Sequence, residues 1–297
     1  MCGISGLVGT VASTENISKM TKKLNHRGKD HVGYKVEHGK YALGHNRLSI
    51  IDLNNSANQP FLSRNKRFSL VFNGEIYNYV EIRNELEKEA INFKTSSDTE
   101  VLLQAYIHWG EMCLDKFNGM FAFAVLDHKD DSLFLARDRF GVKPLYYTIT
   151  KDNFIFASEI KAILPFIKKD VNKKVLANYL AYGSYGLPEE TFFENIYQLT
   201  GGYKATFNKQ NLKISKWYDF INRAKKLVKE NHSIDWATAK EKYKEILEDS
   251  LKLRFRADVP VGFNLSGGVD SSLLLALVNQ RKDAHQVEAF TFYTGDD

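Results

Sequence analysis

The sequence predicts an α+β protein of sheet layers with packed helices, followed by the opening of an α/β domain. Three observations predict it. Short apolar runs separated by turn residues fill the first two thirds of the 297-residue chain. Helical stretches with polar starting residues lie between them. Beyond residue 258 a strand, a Gly-rich loop, a helix and a strand follow in that order.

Taken in order, residues 1–10 are Gly-punctuated and strand-like, and 67–72 alternate, with Phe68, Leu70 and Phe72 on one face and Ser69 and Val71 on the other. Residues 78–90 read as a helix with Asn78 as N-cap and Glu81 completing a capping box. Ser97 and Glu100 repeat that arrangement for a helix that carries Leu102, Tyr106 and Trp109 and stops at Gly110. Two apolar strands, 120–126 and 132–136, flank a polar turn, and 144–148 and 153–157 add two more. After Asp219 the texture changes. Residues 221–235 are polar and lysine-rich, a linker or exposed helix, and 238–256 form an amphipathic helix through Tyr243, Ile246, Leu247 and Leu251. A strand at 259–265, a helix at 273–278 and a strand at 287–293 complete the chain. The expected domains are therefore 1–220 and 221–297.

With 43% hydrophobic and 26% charged residues the composition is that of a folded globular protein. A net charge of +5 without a long basic tract makes no case for nucleic acid. No apolar run has bilayer-spanning length, and the N-terminus does not read as a signal peptide. Two cysteines suit a reducing compartment, so a soluble cytoplasmic protein is expected.

Chemistry concentrates first at Cys2. Removal of Met1, expected before a small residue, leaves one residue with both a thiol and an α-amine of pKa about 8, able to accept the thiol proton. Gly3 and Gly6 would let a substrate approach beside it. Cys113, flanked by Met112 and Leu114, reads as a packing residue. Asn73-Gly74-Glu75 is placed where a strand ends and turns, so that a side-chain amide and a backbone N–H can point at one developing oxyanion. Arg47 could clamp a carboxylate, and Asp98 could hold an ammonium. Each has an ordinary alternative when read alone: a chance cysteine, an Asn-Gly turn, a surface arginine, an acid on a helix dipole.

Together these residues resemble the glutaminase domain of the N-terminal-nucleophile (class II) glutamine amidotransferases, of the asparagine synthetase type. The matching segments include Met1-Cys2-Gly3-Ile4, Asn25-His26-Arg27-Gly28, Gly44-His45-Asn46-Arg47-Leu48-Ser49-Ile50, Asn73-Gly74-Glu75-Ile76-Tyr77-Asn78, Ser97-Asp98-Thr99-Glu100, Arg137-Asp138-Arg139-Phe140-Gly141-Val142-Lys143-Pro144 and Ala157-Ser158-Glu159-Ile160-Lys161. The resemblance implies a four-layer αββα sandwich, with Cys2 as nucleophile and its α-amine as base. It implies Asn73 and the Gly74 N–H as oxyanion hole, Arg47 on the glutamine carboxylate, and Glu75 and Asp98 on its α-amine. Lys29 stands where the family usually has proline, which bears on the rigidity of a loop and removes no catalytic group.

Leu265-Ser266-Gly267-Gly268-Val269-Asp270-Ser271-Ser272 forms a second constellation, resembling the pyrophosphate loop of ATP-pyrophosphatases of the adenine nucleotide alpha-hydrolase-like fold. Leu265, Ser266, Gly267, Gly268, Asp270, Ser271 and Ser272 are the expected ATP-binding residues: glycines admit phosphate to backbone N–H groups at a helix start, and serines add donors. The resemblance implies ATP, with Mg2+, for adenylation of a carboxylate, aspartate being the favoured acceptor of ammonia released from glutamine; no residue is assigned as a metal ligand. Two strands beyond residue 258 cannot bury a doubly wound sheet, so 238–297 read as the first part of such a domain, expected to bind ATP weakly or not at all alone. Alternatives are a different acceptor such as a sugar acid in surface-polysaccharide synthesis, glutaminase activity alone, or a non-catalytic chain that binds a partner; apart from these, the expected partners include a second copy in a homodimer.

Overall fold

The computed structural model describes residues 1–230, 233–280 and 287–292. The chain divides into two compact units, Met1–Asn222 and Arg223–Asp297. Among the described residues no helix is long and apolar enough to cross a membrane.

In the first unit the strands are β1 (Gly3–Gly9), β2 (His31–Glu37), β3 (Tyr41–Arg47), β4 (Phe61–Leu62), β5 (Phe68–Ile76), β6 (Gly119–Asp127), β7 (Ser132–Arg137), β8 (Tyr146–Ile149), β9 (Asn153–Ala157), β10 (Tyr197–Gln198), β11 (Tyr203–Asn208) and β12 (Asn211–Lys216). They form two six-stranded sheets, ordered β10-β8-β9-β1-β3-β2 and β12-β11-β7-β6-β5-β4. Every pairing in both is antiparallel.

Each sheet is apolar on both faces because each is covered twice. Between the sheets Ile4, Leu43, Phe154 and Phe156 meet Val71, Ala122, Leu135 and Phe207. On the far side of the first sheet, Leu7, Ala42 and Ile155 pack on Ile17 and Met20 of helix α1 (Thr14–Lys23). Outside the second sheet, Leu70, Phe72, Phe121 and Phe123 pack on Ile82 and Leu86 of α2 (Tyr79–Lys88) and on Val101 and Leu102 of α3 (Asp98–Trp109). Helix, sheet, sheet and helix make the expected four-layer αββα sandwich. Each fully buried phenylalanine contributes about 2–3 kcal/mol by leaving water. Cys113, in the short helix α4 (Cys113–Lys116), is fully buried among these side chains. The remaining helices of this unit are α5 (Ile160–Ile163) and α6 (Lys173–Tyr182).

Four local readings need correction. Strand β5 runs through Asn73-Gly74-Glu75 to Ile76 instead of turning there. A Cβ on Gly74 would lie 2.1 Å from the Met120 carbonyl oxygen, so the glycine serves close strand approach. Asn78 stands at the N-cap of α2 without capping it, because its amide bridges the Asn118 N–H (2.8 Å) and the Lys116 carbonyl (2.9 Å). Ser97 does cap α3, accepting from the Glu100 N–H at 3.2 Å, but the Glu100 carboxylate bonds the Lys94 and Thr95 N–H groups, so the box is half formed. Gly3 and Gly6 face protein, not substrate: their Cβ positions fall 3.0 Å from Leu24 and 2.1 Å from the Phe156 ring.

In the second unit, α8 (Trp236–Arg254) is capped by Asp235, whose carboxylate accepts from the Thr238 N–H; the helix before it, α7 (Phe220–Glu230), spans the boundary between units. Strands β13 (Gly262–Asn264) and β14 (Glu288–Phe290) pair in parallel through α9 (Val269–Asn279), a strand–helix–strand crossover. Tyr293, the expected end of the last strand, and residues 231–232 of the expected linker lie outside the described residues. Phe290 and Phe292 are 56% and 91% exposed.

Candidate active site

Cys2, Arg47, Asn73, Gly74, Glu75 and Asp98 line one cavity of about 200 Å3, together with Met1, Gln59, Thr99 and Lys143 among others. They arrive from separate elements. Cys2 immediately precedes β1, Arg47 ends β3, the next three lie on β5, and Asp98 opens α3.

The nucleophile candidate is anchored through its backbone. Arg27 donates from Nε to the Cys2 carbonyl at 2.8 Å and from Nη1 to Glu159 Oε1 at 2.9 Å. Burial works to raise Glu159, but hydrogen bonds from Arg27, Lys161 and His26 outweigh it and hold its carboxyl at about 2. The Cys2 sulfur lies 3.4 Å from the Leu48 N–H, and burial pushes the thiol above its ordinary value against that donor. The α-amine belongs to Met1, which also lines the cavity, and burial lowers it.

Strand β5 supplies two further groups. Asn73 shares the inter-sheet face with Val71, is fully buried, and neither its amide oxygen nor its amide nitrogen has a hydrogen-bond partner. The Phe121 N–H of β6 donates to Asp138 Oδ2 and its carbonyl accepts from the Asp138 N–H, so the pairing alternation turns the Phe72, Gly74 and Ile76 N–H groups away from β6. The Phe72 N–H donates to Gln59 Oε1 at 2.6 Å and the Ile76 N–H to Asp98 Oδ2 at 3.1 Å. The Gly74 N–H lies between them, on the cavity wall. His45, fully buried and held neutral by burial at about 3, donates from Nε2 to the Phe72 carbonyl at 3.1 Å and ties β3 to β5.

Charge in the cavity is balanced. The Arg47 guanidinium is held by the Asn54 carbonyl (2.8 Å), Asn58 Oδ1 (2.7 Å) and the Asp52 carbonyl. Burial raises the Glu75 carboxyl, opposed by Lys143. Burial raises Asp98 to about 7; the Ile76 N–H opposes that rise and Glu75 adds to it. Two cations and two carboxylates around a space for one small polar molecule suit a zwitterion. Lys143, Gln59 and Thr99 had no role in the sequence reading; Lys143 and Thr99 stand inside segments that carry the resemblance, the one signal that could have found them.

In the second unit the expected ATP loop is open. Residues 266–270 are exposed, Gly267 has φ +78° with nothing within 4 Å of a Cβ, and Gly268 stands at the N-cap of α9 with no side-chain cap. Ser271 and Ser272 hydroxyls bond the Gly268 carbonyl at 3.0 and 2.9 Å, and Ser266 Oγ lies 3.1 Å from Ser271 Oγ. Asp270 sits in the first turn of α9. Leu265 is tied by its N–H to the Phe290 carbonyl (2.8 Å) and so stands behind the loop. Uncapped N–H groups and serines fit an anionic phosphate. Among the described residues no three His, Cys, Asp or Glu side chains converge on a metal-sized point.

Comparison with known proteins places this geometry in a family. The glutamine amidotransferase domain pattern matches residues 1–218, and the asparagine synthase pattern matches residues 242–297. Asparagine synthetase [glutamine-hydrolyzing] 3 of Bacillus subtilis is 36% identical over 285 residues, 93% of this chain and 45% of that protein. Asparagine synthetase [glutamine-hydrolyzing] 1 of the same organism is 36% identical, over 94% of this chain and 44% of that protein. The chain thus spans about half the length of the curated relatives it matches. The solved glutamine phosphoribosylpyrophosphate amidotransferase of B. subtilis shares the fold, with a TM-score of 0.54 at 22% identity over 73% of this chain and 49% of that one. The chain belongs to the glutamine amidotransferase family, with a stretch of an asparagine synthase domain behind its glutaminase-type sandwich.

Proposed function

We propose that the first unit hydrolyses glutamine to glutamate and ammonia, with Cys2 as nucleophile once Met1 is removed. The α-amine, then on Cys2 itself, takes the thiol proton, and the thiolate attacks the side-chain amide carbon. The Asn73 amide N–H and the Gly74 N–H stabilise the resulting oxyanion. Collapse expels ammonia with a proton returned from the amine, and water then cleaves the thioester to release glutamate. Arg47 holds the substrate carboxylate, and Glu75 and Asp98 hold its α-ammonium. The observation that carries this reading is the Asn73 side chain: it is fully buried, unpartnered at both amide atoms, and on the wall of the cavity that Cys2 lines.

Ammonia from this site feeds an ATP-dependent amidation, with aspartate as the acceptor and an acyl-adenylate as the activated form. The names of the curated relatives support that acceptor, and the open loop at Ser266–Ser272, with Gly267, Gly268, Asp270 and Ser271, supports a phosphate-bearing nucleotide. Glutamate release from glutamine tests the first step: activity in the wild type, abolished by Cys2→Ala, is expected, and equal activity in both would refute it.

A further inference from the structure

The turn that follows β7 has no role in the chemistry so far, yet it is built around a single carboxylate. Asp138 Oδ1 accepts from the Phe140 and Val142 N–H groups at 3.1 and 2.9 Å, and Oδ2 from the Lys143 N–H at 2.9 Å. Arg137 closes the turn from the other side, donating to the carbonyls of Lys143 (2.5 Å), Gly141 (2.6 Å) and Leu199 (2.7 Å). Gly141, at φ +70°, lets the chain pass the Arg137 guanidinium, which would lie 3.1 Å from a Cβ there. The backbone of Lys143 is thereby fixed at both its N–H and its carbonyl.

This scaffold delivers a lysine to the cavity. Lys143 is 5% exposed and lines the same wall as Cys2 and Glu75, and its ammonium has no hydrogen-bond or ion-pair partner among the described residues. We propose that Lys143 is a positioning residue of the glutaminase centre, whose fixed positive charge poises the Cys2 thiol and α-amine and keeps Glu75 ionised for the substrate ammonium. The inference rests on the glutamine-hydrolysis reading above.

The direction follows from charge. A cation beside the amine disfavours its protonation and so keeps the base free at lower pH, and the same cation favours thiolate over thiol. Burial is the larger influence lowering Lys143 itself, with Glu75 opposing it. The groups facing it are Cys2 and the chain's α-amine, Arg27 from the turn before β2, Arg47 from β3, Glu75 from β5, Asp98 from α3 and Asp138 from its own turn. Of these, Arg27 and Arg47 add to the positive field and the carboxylates oppose it.

The test is the pH profile of kcat/KM for glutamate release by the full chain, in wild type, Lys143→Met and Lys143→Arg. Loss of the charge is expected to move the acidic limb upward by about one pH unit, while the arginine variant keeps the wild-type limb. Alkylation of Cys2 by iodoacetamide across the same pH range reads the thiol without turnover, and Cys113 is buried from it; slower reaction of Lys143→Met near neutral pH is expected. Lys143→Gln serves as a second neutral replacement if Lys143→Met fails to fold. An active wild type whose limb and alkylation rates coincide with those of the neutral variants overturns this inference alone. A wild type that releases no glutamate overturns the hydrolysis reading and this inference with it.

Discussion

Replacing Asp98 by Asn should stabilise the empty protein while destroying its affinity for glutamine. Asp98 is 5% exposed, and burial, opposed by the Ile76 N–H and reinforced by Glu75, raises its carboxyl from 3.8 to about 7. In the unfolded chain it ionises near 3.8. Between these values the folded state holds a proton that the unfolded state has lost, so wild-type stability falls as pH rises through that window. About three units at about 1.4 kcal/mol each give a loss of about 4 kcal/mol above pH 7. Asparagine has no proton to lose, and its Oδ1 can still accept from the Ile76 N–H, 3.1 Å from the present carboxylate. Urea unfolding from pH 4 to pH 8, followed by tryptophan fluorescence, should therefore show Asp98→Asn more stable than wild type by about 4 kcal/mol at pH 8, a gain that vanishes near pH 4. In melting temperature this is about 10 °C for a domain of this size. A variant no more stable at pH 8, or one whose gain is the same at pH 4, would refute the reasoning.

Asn73→Ala should lower kcat for glutamate release by about 10²–10³ with KM little changed, because it removes a donor needed only by the oxyanion; a change confined to KM would contradict that role. Gly74→Ala should lower unfolding free energy by more than about 2 kcal/mol, since its Cβ would sit 2.1 Å from the Met120 carbonyl oxygen, and an unchanged denaturant midpoint would count against this. Arg27→Gln should lower kcat about tenfold or more by freeing the Cys2 carbonyl now held at 2.8 Å, readable in steady-state kinetics. The Glu159 contribution that Arg27 supports is present above 4.5 and lost as pH falls through about 2, so the same variant should unfold at higher pH in an acid titration.

Sheet layers with packed helices were legible from short apolar runs between turns and capped helical stretches, whereas the four-layer order came only from the family resemblance, since strands such as β3, buried along its whole length, carry no alternation. Residues 153–157 match β9 at both ends and the other expected strands drift by one to four residues, β5 the farthest, while β2, β3, β4, β10, β11 and β12 were not read from the sequence at all. The site was legible as motifs rather than as geometry. Nothing local says that Cys2, Arg47, Asn73 and Asp98 share a cavity; that follows from sheet pairing across long separations. Asn73-Gly74 misled as a turn because the same dipeptide serves a hairpin and a close strand approach, and only the Met120 carbonyl distinguishes them. Asn78 misled because a cap residue can find a better partner across the fold. Lys143 escaped because its placement depends on a turn wrapped around Asp138, a pattern without periodicity.

The most direct measurement is intact and peptide mass analysis of the protein after reaction with an electrophilic analogue of glutamine. One adduct on the Cys2 thiol, in a chain that starts at Cys2, is expected, and excess glutamine should protect against it. Adduct on Cys113, no adduct, or a modified chain that still carries Met1 would contradict the assignment of Cys2 as nucleophile.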